Sequence, residues 1–429
     1  MVLARFLLVL CVFLAPLRAL AAAPTDLPSL LLVTAAASEA AYRGELPELL
    51  RARLVAAGWQ IASYETPGHR GTVGRFFHMV RTDADGAETH LIAFPGTERG
   101  SDVWTDLRIG RAVFGGTTPA EFLSMREAPV TERGETPLVH RGFLDYTQAA
   151  LFTDALPAYG GRTAGEAIAD ELRAYPDAQI YLTGHSLGGA AAVLAAARLS
   201  DLGVSPEQLI VTTFGAPAVG NAAFARRYEG KFTLRRVVMS GDPMKDILAK
   251  PLGFQQFGER VTWSPARSVA KFPHAMTVYV DAAIRRLCDA YGGERAYLFL
   301  MGTPDRMAGR TLYTLPIETK MDEVLTEDAP YMAAVLRDAL HVRSAHTVFA
   351  AGGGGLHEHL AAARAAGAQE MIAYRIAGTK IRDAHETYRI TLEHAVYDMD
   401  GNLIAAGSRS ARTGTLTPIE TVLYLFAQD

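Results

Sequence analysis

The sequence predicts an α/β fold built on a mostly parallel sheet with helices on both faces. Three observations carry that prediction. Short apolar runs at Ala178–Thr183, Leu209–Phe214 and Leu234–Met239 each end in a turn, and a helical pattern follows at least the first two. The run Ile180-Tyr181-Leu182-Thr183 closes on Gly184-His185-Ser186-Leu187-Gly188, and an Ala- and Leu-rich stretch continues through Leu199. That reads as strand, sharp turn, helix, with glycines leaving room for a strained serine. The third observation is composition. The 429 residues are 49% hydrophobic and 21% charged, enough to bury a sizeable core in two or three domains.

The net charge of −4, without a long basic run, argues against a nucleic-acid binder held by general electrostatics, and against an anionic-membrane binder of that kind. Residues 1–21 read as an export signal. Arg5 closes a short basic region, Phe6 to Leu17 is apolar, and Ala19-Leu20-Ala21 has small residues at a cleavage spacing. An uncleaved membrane anchor is the alternative. Cys11 lies inside the apolar region, so a processed chain keeps only Cys288 and can form no internal disulfide. The expectation is an exported protein, periplasmic or extracellular.

Taken in order, Leu27 to Arg43 and Glu45 to Ala57 have helical spacing, with Gly58 placed to stop the second helix. Trp59 to Tyr64, Phe76 to Arg81 and Thr89 to Phe94 read as strands, the last two joined by a hairpin at Asp83-Ala84-Asp85-Gly86. The third strand stops at Pro95-Gly96-Thr97, a turn that frees backbone N–H groups. Residues 111–138 read as an excursion, Val139 to Phe143 leads into a helix, and Arg162 to Tyr175 is another. A helix starts at Asn221. After Ser240-Gly241-Asp242 a polar loop is expected to run to Pro273, and His274 opens a helix through Cys288.

A serine hydroxyl is a weak nucleophile until a base takes its proton, and the base needs a carboxylate to fix its tautomer. In an open α/β sheet such groups gather beyond the carboxyl ends of strands. Asp242 follows a strand directly, and His274 sits further on at a loop-to-helix junction. That gives the order Ser186, Asp242, His274. Asp246 is the alternative acid and His140 the alternative base. The N–H groups of Leu187 and Thr97 are the candidate donors to a developing oxyanion. This chemistry calls for no cofactor and no metal.

Together these residues resemble the class 3 (fungal-type) lipase family. The resemblance rests on Ala93-Phe94-Pro95-Gly96-Thr97, Trp104-x-Asp106-Leu107 and Val139-His140-Arg141-Gly142-Phe143. It continues in Thr183 to Ala190, Phe214-Gly215-Ala216-Pro217 with Gly220, Val237-Val238 leading to Asp242, and His274, all in the family's order over roughly residues 30–290. It implies an α/β-hydrolase fold and a serine esterase acting on acylglycerols or related esters. It carries the nucleophile to Ser186, the acid to Asp242, the base to His274 and the oxyanion donors to Thr97 and Leu187. Gly100 to Leu107 falls where the family has its lid. Pro95 stands where the family usually has arginine. Pro243-Met244-Lys245-Asp246 replaces the usual two apolar residues and a proline, which keeps Asp246 open as the acid. Asp102, Asp106 and Arg108 make the lid piece less apolar than an interfacial lid, so soluble or short-chain esters fit as substrates.

Tyr291-Gly292-Gly293 reads as a boundary, giving residues 22–293 and 294–429 as two domains after the signal. In the second, Ala296 to Met301, Leu312 to Pro316, Ala345 to Ala350 and Glu370 to Ile376 read as extended. Met321 to Leu340 and Leu356 to Ala366 read as helices, and Tyr388 to Asp398 and Leu403 to Ser410 form a hairpin at Asp400-Gly401. The stretch Leu360 to Ala368, a following strand and the Tyr397 to Gly401 hairpin resemble the small β-α-β domains of bacterial envelope proteins, such as the amino-terminal domain of the Tol-system propeller proteins. Gly352 to Gly355 lacks the Lys-Ser/Thr of a nucleotide loop and reads as a flexible loop. His341, His357 and His359 lack a clustered Cys or carboxylate set and read as a solvated helix face rather than a metal site. The expected partners are a lipid or other acyl-ester substrate and a transient membrane or envelope contact. A phospholipase is the nearest competing enzyme, and a non-catalytic envelope binding module is the alternative of another class.

Overall fold

The computed structural model describes residues 26–68, 72–82, 86, 88–97, 110–130, 134–247, 252–269, 273–291, 311–343, 346–381 and 387–428. The signal, most of the Asp83 to Gly86 turn, the piece around Trp104 and the strand expected at Ala296 to Met301 lie outside them. No helix among the described residues is long and apolar enough to cross a membrane. By internal contact the chain forms two units. One comprises the chain through Pro47 and Trp59–Ser264, the other Glu48–Gly58 and Pro265–Asp429.

The first unit is built on a seven-stranded sheet. Its antiparallel edge is β1 (Trp59–Pro67), β2 (Val73–Thr82) and β3 (Glu88–Phe94). Two small pairs follow in the chain, β4 (Arg111–Val113) with β5 (Leu138–His140), and β6 (Ala155–Leu156) with β7 (Arg162–Thr163). The sheet then continues in parallel from β3 through β8 (Ile180–His185), β9 (Leu209–Phe214) and β10 (Thr233–Met239) to β11 (Glu259–Trp263). β8 is buried at every residue, as a central parallel strand covered on both faces must be.

Two helices press on that strand. The helix Leu187–Asp201 packs on β8 and β9, and its run of alanines lets the two backbones come close. Its one buried cation, Arg198, is fully enclosed. Its guanidinium lies 4.0 Å from the Phe114 ring centre and 3.9 Å from that of Phe122, and it donates to the Gly115 carbonyl at 2.6 Å. Helix Leu27–Ala40 starts on an Asp26 cap, whose carboxylate accepts from Ser29 N–H at 2.9 Å. Ser38 and Thr183 share a hydrogen bond of 2.9 Å, which ties this helix to β8.

Glu39 on the same helix is 6% exposed, and burial pushes its carboxyl up from 4.5 to about 7. The folded value exceeds the unfolded one. Its contribution to stability is therefore fully present below about pH 4.5 and is lost as pH rises through 7. Glu39→Gln is expected to raise stability by about 3 kcal/mol at pH 8 and by little at pH 4. Urea unfolding at the two pH values checks this, and an equal gain at both contradicts it.

In the second unit, β12 (Thr311–Thr314), β13 (Glu318–Met321) and β14 (His346–Phe349) join β15 (Glu370–Lys380), β16 (Tyr388–Tyr397) and β17 (Leu403–Arg412) in a six-stranded sheet. β12 and β13 pair with different parts of the same parallel edge of β15, and β15 to β17 run antiparallel. Gly401 takes φ +87° at the β16–β17 turn, where Asp398 accepts from the N–H groups of Asp400 and Asn402 at 2.9 and 2.8 Å. Ion pairs are buried beside the sheet. Arg53 reaches Asp338 at 3.2 Å, and burial pushes the Asp338 carboxyl up to about 7 although Arg53 opposes the rise. Arg285 bridges Asp281 and Asp328, and Ser268 donates to Asp328 at 2.9 Å.

Three expectations change. The loop expected from Asp242 to Pro273 contains β11, which closes the first sheet. The helix expected over Met321 to Leu340 is a 3₁₀ turn, Glu323–Asp328, followed by the helix Ala329–Arg343. Pro330 causes the break, because proline is tolerated only in a helix's first turn. The chain also ends in a helix, Pro418–Ala427, that the sequence reading left unassigned. Its capping box is complete: Glu420 N–H donates to Thr417 Oγ1 at 3.3 Å and Thr417 N–H to Glu420 at 2.8 Å.

Candidate active site

Ser186 caps the helix Leu187–Asp201 with φ +55° and ψ −119°, and it is the single non-glycine residue at positive φ among the described residues. Such a conformation costs of order 1–3 kcal/mol and persists only where its surroundings impose it. Here they do. Ser186 N–H donates to the Phe214 carbonyl at 2.9 Å, and its own carbonyl accepts from Ala190 N–H at 3.1 Å. The serine is 6% exposed.

The glycines around it are fixed by space. A Cβ on Gly184 would stand 2.3 Å from the Gly188 carbonyl carbon, one on Gly188 2.1 Å from the Phe94 oxygen, and one on Gly189 2.8 Å from the Ala216 methyl. Strand β8 and the helix after Ser186 thus meet backbone to backbone. Gly188→Ala forces the helix off β3, and it is expected to cost 3 kcal/mol or more, roughly, and to lower kcat by about 10². A thermal melt and an ester rate check it. A variant with wild-type melting and rate contradicts the close approach.

Register brings the Pro95–Thr97 turn alongside. Phe94 pairs with Gly184 in the parallel β3–β8 ladder, so Thr97 and Leu187 each lie three residues beyond the last paired position. Leu187 is the first helical residue, so its N–H is among those left unpaired by the helix, at the positive end of the dipole. Tyr146 Oη donates to the Arg75 carbonyl at 2.9 Å and reaches the Pro95 carbonyl at 3.4 Å, which holds the turn. Tyr42 escaped the sequence reading. Its hydroxyl lies 2.7 Å from His185 Nδ1 and 1.9 Å from where a Gly96 Cβ would be, so it braces the serine turn and the Pro95–Thr97 turn together. No local pattern could have pointed to it, because His185 is 143 positions away.

Asp242 stands beyond the carboxyl end of β10, at the same sheet edge as Ser186 and Thr97, and is 1% exposed. One carboxylate oxygen accepts from Met244 N–H at 2.8 Å, capping the 3₁₀ turn Pro243–Asp246. Asp246 is the last residue of that turn. His140, the alternative base, is a helix cap. It is 2% exposed, its Nδ1 accepts from Phe143 N–H at 3.3 Å, and burial pushes its pKa down to about 4. His274 belongs to the second unit, half-buried in the turn that precedes the helix Met276–Tyr291.

A strand, a strained serine and a helix set in a mostly parallel sheet make this an α/β-hydrolase fold. Residues 91–250 match the class 3 lipase family. The matched segment includes the Pro95–Thr97 turn, Ser186 and Asp242, and stops before His274. Among similar proteins, a lipase of Rhizomucor miehei is 35% identical over 127 residues, 28% of this chain and 31% of that one. A lipase of Caenorhabditis elegans is 49% identical over 70 residues, 16% of this chain and 20% of that one. The chain thus spans less than a third of the length of these relatives. The solved Rhizomucor miehei triacylglyceride lipase aligns with a TM-score of 0.39 at 24% identity, over 57% of this chain and 82% of that chain.

Among the described residues, no three His, Cys, Asp or Glu side chains group as a metal set. His359 lies against Tyr313 with its Nδ1 3.4 Å from the hydroxyl, and is 8% exposed rather than solvated.

Proposed function

We propose that this chain is an exported serine hydrolase that cleaves the carboxylic esters of lipids through an acyl-enzyme on Ser186. The observation that carries the reading is Ser186 itself, a non-glycine residue held at φ +55° at the carboxyl edge of a parallel sheet, within the segment that matches the class 3 lipases. Ser186 Oγ attacks the ester carbonyl while His274 takes its proton, and Asp242 fixes the tautomer of His274. The N–H groups of Thr97 and Leu187 receive the charge that develops on the carbonyl oxygen, and each such donor contributes about 2.7–4 kcal/mol to the transition state. His274 then protonates the departing alcohol, and water cleaves the acyl-enzyme by the same steps in reverse. His274 is assigned from the chain order Ser, Asp, His and from its place at a loop-to-helix junction.

On this reading residues 1–21 direct export to the periplasm or the exterior, residues 22–293 form the hydrolase domain, and residues 294–429 form an appended domain of bacterial envelope type. A phospholipase would use the same groups and differ in its alcohol. A series of nitrophenyl esters from acetyl to palmitoyl tests the reading, read beside triacylglycerol and phosphatidylcholine. Turnover of the nitrophenyl esters and the acylglycerol, with an optimum in chain length, is expected. A protein that hydrolyses none of them is a binding module on a hydrolase scaffold.

A further inference from the structure

Tyr42 lies outside residues 91–250, the segment matched to the class 3 lipases, yet its side chain touches both turns of the first unit's site. It follows the helix Leu27–Ala40, and its N–H donates to the Glu39 carbonyl at 3.0 Å. Arg75 on β2 donates to the neighbouring Ala41 carbonyl at 3.1 Å. From that fixed base the Tyr42 hydroxyl shares a hydrogen bond of 2.7 Å with His185 Nδ1. His185 is 5% exposed and stands next in the chain to Ser186. The same hydroxyl packs on Gly96. A Cβ there would stand 1.9 Å from it and 2.7 Å from the His185 carbonyl oxygen, so position 96 has room for a hydrogen only. Gly96 is next in the chain to Thr97. Arg75 also anchors Tyr146, which donates to the Arg75 carbonyl at 2.9 Å and reaches the Pro95 carbonyl at 3.4 Å. One residue of β2 thus supports two tyrosines on the Pro95–Thr97 turn, and Tyr42 carries the link on to the residue before the nucleophile.

We propose that Tyr42 is a positioning residue for ester hydrolysis. Its hydroxyl, bonded to His185 and seated on Gly96, sets the spacing between the Thr97 N–H and Ser186. The proposal rests on the hydrolase reading, with Thr97 as an oxyanion donor. Such a donor acts only within a narrow distance of the forming oxyanion, and a misplacement of about 1 Å costs on the order of 10² in rate. The neutral carbonyl of the bound ester gains less from that donor than the oxyanion does. Loss of the hydroxyl therefore falls on kcat rather than on KM.

The test compares the wild type, Tyr42→Phe, His185→Leu and the double variant in the full chain. It reads kcat and KM on nitrophenyl butyrate, inhibition by butylboronic acid, and the melting temperature. Boron accepts Ser186 Oγ while the serine proton passes to His274, which gives a tetrahedral anion that draws on the same donors. Tyr42→Phe is expected to lower kcat about tenfold or more, with KM changed by less than about threefold. Boronate inhibition is expected to weaken by the same factor as kcat. His185→Leu breaks the same bond, so the double variant should lose little beyond the larger single loss. Wild-type kcat and boronate inhibition in Tyr42→Phe, whatever its melting temperature, overturn Tyr42 as a positioning residue and leave the hydrolase reading standing. Losses that multiply in the double variant overturn the shared Tyr42–His185 bond as the cause. A wild type that turns over no ester overturns the hydrolase reading, and the role of Tyr42 with it.

Discussion

Ser186→Ala is expected to lower kcat on nitrophenyl butyrate by about 10⁴-fold or more, with KM changed by less than about threefold. The effect is large because the members of a nucleophile–base–acid set act as a unit, so removing the nucleophile removes nearly all of their benefit. What survives is catalysis by the oxyanion donors and by binding. The proposed donors, the N–H groups of Thr97 and Leu187, belong to the backbone and each follow the last paired position of the β3–β8 register by three residues, so they do not depend on the serine side chain. Alanine also keeps the turn. The Ser186 side chain makes no capping bond to the helix, and the backbone bonds from Ser186 N–H to Phe214 and from Ala190 N–H to Ser186 are independent of the hydroxyl. The melting temperature should therefore stay near that of the wild type. A loss of activity below about tenfold, in a protein that melts normally, places the nucleophile elsewhere.

The second large effect separates the two candidate acids. Asp242→Asn is expected to lower kcat by about 10⁴, because an amide presents the base in the wrong tautomer and cannot stabilise its cation. Asparagine is the right probe here. Its carbonyl oxygen can still accept from Met244 N–H, the 2.8 Å bond that caps the 3₁₀ turn, so the turn survives while the charge is lost. Asp246→Asn, at the far end of the same turn, should change kcat by less than about tenfold. If Asp246→Asn is the damaging change and Asp242→Asn is mild, Asp246 is the acid and Asp242 only a cap.

The central strand, the Ser186 turn and the helix after it were legible because their signal is local, a Gly-x-Ser-x-Gly between an apolar run and an Ala- and Leu-rich stretch. Gly184 is required by backbone contacts within the motif itself, while Gly188 and Gly189 also clear Phe94 and Ala216, and β8 is buried on both faces, so its first half, Ile180 to Leu182, shows as an apolar run. The elements that were missed lie where that logic fails. β11 reads Glu-Arg-Val-Thr-Trp, with Trp263 alone buried, because among the described residues it closes the sheet as an edge strand and pairs only with β10. β13 reads Glu-Thr-Lys-Met and is exposed for the same reason, pairing among the described residues with β15 alone. The closing helix did carry a signal, Thr417-Pro418-Ile419-Glu420 before an apolar run, and the capping box it encodes is formed in full. Pro330 likewise marked a helix start inside what reads as one continuous helical pattern. Tyr42 had no signal at all. Its place against His185 and Gly96 comes from packing between segments far apart in the chain.

The most direct test of the central claim is covalent labelling of the full chain with a fluorophosphonate, followed by peptide mapping. The reagent reacts with a serine whose hydroxyl is activated by a base and whose oxyanion is received by donors, which is the chemistry assigned to Ser186, His274, Asp242, Thr97 and Leu187. The account predicts one modified residue, Ser186, labelled in the wild type and labelled at least a hundredfold more slowly in His274→Ala. Labelling of Ser186 at the same rate in both proteins would contradict His274 as the base, and no labelling of Ser186 in the wild type would contradict the account as a whole.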